Sequence, residues 1–246
     1  MEPLSLSSVR DYVETNITEF HKKKLDSLNS LSIERILKKK NPYLYRCKNI
    51  LTSEIIVRTI VDAFLSSSEE TIFGDWLENL AIFVNHCVYG GWKSTAQGID
   101  LEFDLEGVRQ LVAIKSGPNW GNSDQIRKMI QNFSSAKRSL RTSNSKLQVN
   151  CVNGCCYGKD SKPHKKEDYF KYCGQDFWHY LSGNKLLYIE LVEPLGHQAK
   201  QRTEEFEEGY SAKINLFTNQ FTQSFCTNTG QIDWEKFLKY NSGAEE

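Results

Sequence analysis

Gly98-Ile99-Asp100-Leu101-Glu102-Phe103-Asp104 and Leu111-Val112-Ala113-Ile114-Lys115-Ser116-Gly117-Pro118-Asn119-Trp120-Gly121, joined through Leu105-Glu106-Gly107, decide how the rest of the chain is read. Each half alternates as a half-buried strand does, and Leu105-Glu106-Gly107 supplies a turn between them. Folded there as an antiparallel hairpin, the pair brings Asp100 roughly opposite Lys115. Asp100 and Glu102, two apart, share one strand face. Two carboxylates and a lysine thus converge where the strand gives way to a loop rich in glycine. Carboxylates gathered this way can hold a hard divalent cation such as Mg²⁺ through oxygen. A lysine beside them can orient a water and steady the charge that develops on an attacked phosphate.

Exposed hairpins also carry Asp, Glu and Lys merely for solubility, and on spacing alone that reading competes. Two features favour chemistry. The turn after Lys115 is elaborate, with Gly117, Pro118 and Gly121 around Asn119, Trp120 and Asn122. It opens directly into a basic stretch: Lys115–Lys171 holds twelve Lys or Arg against four Asp or Glu, whereas Glu190–Glu208 holds six acids against two bases. The formal net charge is zero, but phosphate-neutralising groups need only line one face, so local asymmetry outweighs the total.

Asp100, a short turn and Lys115 ending an apolar strand resemble the core of the PD-(D/E)XK nuclease superfamily. The run Ile114–Ser123 (Ile-Lys-Ser-Gly-Pro-Asn-Trp-Gly-Asn-Ser) resembles more narrowly a group of type II restriction endonucleases. Val152-Asn153-Gly154-Cys155-Cys156-Tyr157-Gly158, Tyr172-Cys173-Gly174-Gln175-Asp176-Phe177-Trp178 and Leu181-Ser182-Gly183 extend the likeness, which runs from about Phe73 to the C-terminus. It implies a restriction-endonuclease-like α/β fold: a mixed central β-sheet flanked by helices, with a helical N-terminal region. It also implies a Mg²⁺-dependent, sequence-specific endonuclease for double-stranded DNA, leaving 5′-phosphate and 3′-hydroxyl ends. One such site cuts one strand, so a palindromic duplex calls for a homodimer, and a cognate DNA methyltransferase is expected in the same cell. A structure-selective repair or recombination nuclease, and a non-catalytic DNA-binding protein on the same fold, are the alternatives.

The chain departs from the superfamily pattern at one place. The acid usually found two residues before the lysine is Ala113 here, and Ala113 cannot bind metal. Glu102 is the nearest replacement on the hairpin. Glu78 is the other, because Phe73–Leu80 reads as an amphipathic helix and a glutamate on the helix before the sheet is a frequent ligand in such nucleases. Catalytic and metal roles are therefore assigned to Asp100, Glu102 and Glu78, with Lys115 acting on the water. Asp124, a weaker option, suits the first turn of a helix. Ser116, Asn119 and Asn122 are placed to hold phosphates or base edges, although Asn and Ser also make turns. Arg127, Lys128, Lys137 and Arg138 are free to face DNA from the outer side of a helix.

At 246 residues, 39% hydrophobic and 25% charged, the chain can bury a substantial core and is not of disordered composition. No stretch approaches the ~18 uninterrupted apolar residues of a membrane span, and Met1–Ser5 lacks the basic flank and apolar run of a secretory signal. Seven cysteines, an odd number, suit reduced thiols in a cytoplasmic protein. Cys151, Cys155, Cys156 and Cys173, with His164, raise a zinc site, but no C-x-x-C knuckle pairs with another and buried thiols pack like small hydrophobes. His21, His86, His179 and His197 have no partners at diagnostic spacing.

Helical spacing covers Val9–Leu28, Ile33–Leu37 (ending before Asn41-Pro42), Ser53–Leu65 and, as a separate helix, Glu69–Val88. After the hairpin, Ile126, Met129, Ile130 and Phe133 make the stripe of a helix over Ser123–Leu140. Lys146–Val152 and Leu186–Leu191 read as strands, and Glu204–Phe221 and Trp234–Tyr240 as helices. The division expected is 1–70, a helical N-terminal region packed on the core, and 71–246, the nuclease core.

Overall fold

The computed structural model describes residues 3–244. The chain begins with helices: α1 (Leu6–Asn29), α2 (Ile33–Lys39), α3 (Pro42–Cys47) and α4 (Ser53–Tyr89). The sheet region follows, with β1 (Trp92–Lys93), β2 (Leu101–Leu105), β3 (Val108–Lys115), α5 (Ser123–Ser143), β4 (Val149–Cys155) and β5 (Phe170–Cys173). It closes with α6 (Gln175–Ser182), α7 (Leu187–Glu190), α8 (Val192–Leu195), α9 (Ala199–Phe225) and α10 (Trp234–Ser242). The five strands found among the described residues form one mixed sheet in the order β1-β2-β3-β4-β5. The β1–β2 and β2–β3 pairs are antiparallel, and β3–β4 and β4–β5 are parallel. This is the restriction-endonuclease-like α/β architecture that the resemblance implied. Among the described residues no helix is long and apolar enough to cross a membrane.

Strand β3 is central, and its sequence shows it. Leu111, Val112, Ala113 and Ile114 are buried in succession; the crossover helix that parallel pairing requires packs on the face of Leu111 and Ala113, and Val112 and Ile114 are buried on the other face. The β2–β3 turn is made by Glu106 and Gly107, both with positive φ (52° and 78°). That is the pattern of a tight I′ hairpin, in which glycine carries the second position without strain. The crossover helix α5 starts at a capping box: Asn122 accepts from the backbone N–H groups of Asp124 and Gln125, and Gln125 returns a bond to Asn122 N–H. Its Met129, Phe133 and Ala136 then pack on Leu111, Ala113, Val149 and Cys151 of the sheet. Gly154 of β4 lies under α6; a Cβ there would come 2.0 Å from the Phe177 ring, so only glycine admits this packing.

Contacts between Cα atoms divide the chain into two units. The first is the segment up to Ile17 with Phe73–His197; the second is Thr18–Ile72 with the segment from Gln198 onward. The last two helices, α9 and α10, thus group with Thr18–Ile72. The second unit has its own core, in which Leu28, Ile36, Leu37, Ile56 and Ile60 meet Phe217, Phe221, Phe225 and Phe237.

Three expectations need correcting. The helices expected at Ser53–Leu65 and Glu69–Val88 are one continuous α4. In its polar middle the Ser67 and Thr71 hydroxyls donate to the carbonyls of Ala63 and Ser67 one turn back, which keeps these hydroxyls from capping a helix end there. Leu186–Leu191 is not a strand. Leu187 and Leu191 are buried while Leu186 and Ile189 are exposed, which is helical spacing, and Asn184 Oδ1 accepts from Leu186 N–H at the entrance. The hairpin register is also shifted. Leu101 pairs with Val112, so Asp100 stands opposite Ala113, with Lys115 its diagonal neighbour.

Candidate active site

The register places three of the expected side chains together at the end of β3. Asp100 donates its backbone N–H to Val112 O (2.9 Å) and accepts at Oδ2 from the N–H of Ile114 (2.6 Å). Its carboxylate is thereby held against the sheet by a charge-assisted bond. Lys115 Nζ lies 3.7 Å from the same Oδ2 and donates to Ile114 O at 2.8 Å. Glu78 reaches this point from α4. Burial pushes its carboxyl above the usual glutamate range, and the charge of Asp100 adds to the shift; Lys93 and Lys115 pull it back. Lys93 Nζ donates to Glu78 Oε1 at 3.2 Å.

Glu102 stands apart from this group in its bonding. Ser94 Oγ donates to its Oε1 at 2.7 Å, and Arg109 Nη1 lies 3.1 Å from its Oε2. Arg109 also holds Asp104 at 2.7 Å and stacks on Trp92, 4.8 Å from the ring centroid. Both Glu102 oxygens are therefore spoken for by a partly buried ion-pair network. Asp124 is exposed in the first turn of α5 and pairs with Arg127 at 3.3 Å.

Two partly buried carboxylates that repel one another are the donor set on offer. Among the described residues no group of three or more His, Cys, Asp or Glu side chains is arranged to hold a metal. Mg²⁺ fits two carboxylates, because it usually keeps several waters and takes one or two carboxylates plus substrate phosphates. A divalent cation between Glu78 and Asp100 would also relieve their repulsion.

The loop after Lys115 is pinned from several sides. Ser116 O accepts from Tyr157 N–H (2.9 Å), and Pro118 O from Lys171 Nζ (3.0 Å). Gly117 packs on the Tyr157 ring, where a Cβ would fall 2.5 Å from Cζ. Ser116 is half-buried and Asn119 is exposed, while the carbonyl of Asn122 is taken by the α5 cap. On α5, Arg127, Lys128 and Arg138 are exposed. Lys137 is turned instead toward Cys151, where its charge opposes the burial that pushes that thiol up to about 11.

The cysteines Cys151, Cys155, Cys156 and Cys173 are free and buried. Burial drives the Cys156 thiol up to about 12, and Cys155 higher still, so these are packing thiols held in the neutral form. His164 bonds to Asp176 at 3.1 Å. The sequence reading gave no role to Asn153, Trp120 or Lys93, all of which touch or support the cluster; the first two lay within the quoted motifs, but nothing in their spacing joins them.

A family model of the type II restriction endonuclease EcoO109I matches residues 7–203. No curated protein matches the chain. With most of its length aligned to that family, and with an acidic and lysine cluster at the end of the central strand, the chain belongs to the EcoO109I family of type II restriction endonucleases.

Proposed function

We propose that the chain is a Mg²⁺-dependent, sequence-specific endonuclease for double-stranded DNA, with Glu78, Asp100 and Lys115 as its working residues. The observation that carries this reading is the meeting of Lys115 with Asp100 at 3.7 Å, beside a Glu78 whose carboxyl is raised by burial and then by the charge of Asp100. Glu78 and Asp100 would hold the metal. When bound, Mg²⁺ supplies charge neutralisation at the scissile phosphate and eases ionisation of the attacking water. Lys115 orients that water for in-line attack on phosphorus and stabilises the added negative charge as the P–O3′ bond breaks. The 3′ oxygen leaves as a hydroxyl after gaining a proton, and the phosphate stays on the 5′ end. Glu102 is assigned here to structure rather than to metal, since both its oxygens are engaged.

A palindromic duplex presents two strands related by a two-fold axis, so a homodimer carrying two such sites is the assembly expected. Exposed Arg127, Lys128 and Arg138 of α5 supply phosphate contacts, and Ser116 and Asn119, in the loop that follows the lysine, supply backbone or base contacts. The test is digestion of DNA of known sequence with Mg²⁺, with both ends mapped. Discrete fragments sharing one short sequence at their ends support the proposal. Absence of cutting across divalent metals, or random nicking, overturns it.

A further inference from the structure

Lys115 has a third neighbour besides Asp100 and the carbonyl of Ile114. Its Nζ lies 5.5 Å from the centroid of the Trp120 ring, within the range of a cation–π contact. Trp120 does not sit there by loop geometry alone. Its Nε1–H donates to Asn153 Oδ1 at 3.1 Å. Asn153 is a polar side chain 1% exposed in the middle of β4, paired in register with Ala113. Its Nδ2 donates to Ala113 O at 3.3 Å, which fixes the amide orientation from the other side. The indole also packs against the cluster that contains Ala113 and Met129.

Resting on the active-site reading above, we propose that Trp120, anchored by Asn153, is the positioning residue for Lys115, and that Ala113 is small because this indole is seated over it. The position where related nucleases carry an acid is thus filled by an aromatic face instead of being empty. A buried Asn must satisfy its polar groups, and here both of the groups described are used to link strand to loop. A lysine on four methylenes has many rotamers. With Asp100 on one side and the ring on another, its ammonium is confined to the edge of the carboxylate pair. A larger side chain at 113 would enter the cluster on which the indole packs, so the missing acid and the added tryptophan belong to one arrangement, with Glu78 supplying the second carboxylate from a helix.

The test is single-turnover cleavage at saturating DNA with Mg²⁺, together with duplex affinity in Ca²⁺ and thermal melting. Trp120→Met keeps apolar bulk without the π face, and Trp120→Phe keeps the face without the N–H. Misplacing a catalytic group by about 1 Å can cost on the order of 10²-fold, so Trp120→Met should cut at least about tenfold slower with affinity within about threefold. Trp120→Phe keeps the face but loses the bond to Asn153, so its rate should lie between those of Trp120→Met and the parent. A parent-like rate for Trp120→Met, equal slowing by Phe and Met, or a loss confined to affinity would each overturn the proposal. Should Trp120→Met not fold, Asn153→Ala carries the test from the anchor: slower cleavage at unchanged affinity supports it, and a parent-like rate overturns it. Lys115→Ala in the same assay separates the two claims. If it cuts like the parent, the active-site reading fails and this inference with it. If it is slow while Trp120→Met is not, only the role of Trp120 fails.

Discussion

Arg109 closes over Glu102, its Nη1 3.1 Å from Oε2 while Ser94 Oγ occupies Oε1. The pair is only partly exposed, at 18% and 10% of the side-chain surface, and Arg109 keeps Asp104 as a second partner. Glu102→Gln should therefore cost stability, about 1–3 kcal/mol for a charged hydrogen-bonded group. Cleavage by the folded variant should stay within about threefold of the parent, because transition-state contacts are untouched. Denaturant melts and single-turnover rates measured together check this. A stable but inactive Glu102→Gln would return Glu102 to the metal site.

Glu78→Gln should behave in the opposite way. Burial, then Asp100, raise the Glu78 carboxyl. A carboxyl that binds its proton more tightly in the folded chain than in the unfolded one costs stability as it ionises, so the metal-free protein loses stability as pH rises through the folded value. Glu78→Gln should accordingly melt at the same or a higher temperature than the parent in EDTA at pH 7, while cleavage is lost. Mg²⁺ should raise the melting temperature of the parent and not of the variant. A variant that melts lower and still cuts would remove Glu78 from the site.

The same shift governs pH dependence of the rate. Protonated Glu78 cannot hold a cation, so Mg²⁺-supported cleavage should fall on acidification at a higher pH than an ordinary glutamate would give. Lys93 lowers the Glu78 value, so Lys93→Met should move that fall to still higher pH. Added Mg²⁺ should move it back down by competing with the proton. Rate against pH at two Mg²⁺ concentrations, for parent and Lys93→Met, reads all three directions.

Lys115→Ala should retain duplex binding in Ca²⁺ and lose cleavage by roughly two to three orders of magnitude, the scale of removing a preorganised electrostatic donor. Single-turnover kinetics and filter binding on the same fragment decide it.

The outer face of α5 gives a salt-dependence prediction. Arg127, Lys128 and Arg138 are exposed, whereas Lys137 is turned in toward Cys151. Each true phosphate contact removed should reduce the slope of log K against log salt by about 0.9. Lys128→Ala/Arg138→Ala should lower the slope without changing the sequence cut, while Lys137→Ala should act mainly through stability. An unchanged slope in the folded double variant would mean that DNA approaches from another side.

What the sequence determined by itself was local. The hairpin, its Glu106-Gly107 turn, the apolar stripe of α5 and the lysine that ends β3 all follow from short-range spacing, and so did the family likeness carried by Ile114–Ser123. The tertiary structure decided which residues meet. Asp100 faces Ala113 and not Lys115, because a two-residue turn sets its partner two residues from the expected one. Glu78 and Glu102 were both candidates in sequence; the fold gives Glu102 to Arg109 and Ser94 and brings Glu78 to Asp100, a separation of 22 residues that no periodicity spans. Asn153 and Trp120 meet only because β4 lies parallel beside β3. The short apolar run at Leu186–Leu191 is equally ambiguous, since four to six such residues suit a strand or a buried helical turn alike; the packing of Leu187 and Leu191 on one side settles it as helix. Contacts between distant segments depend on register and crossover, and those are properties of the folded sheet.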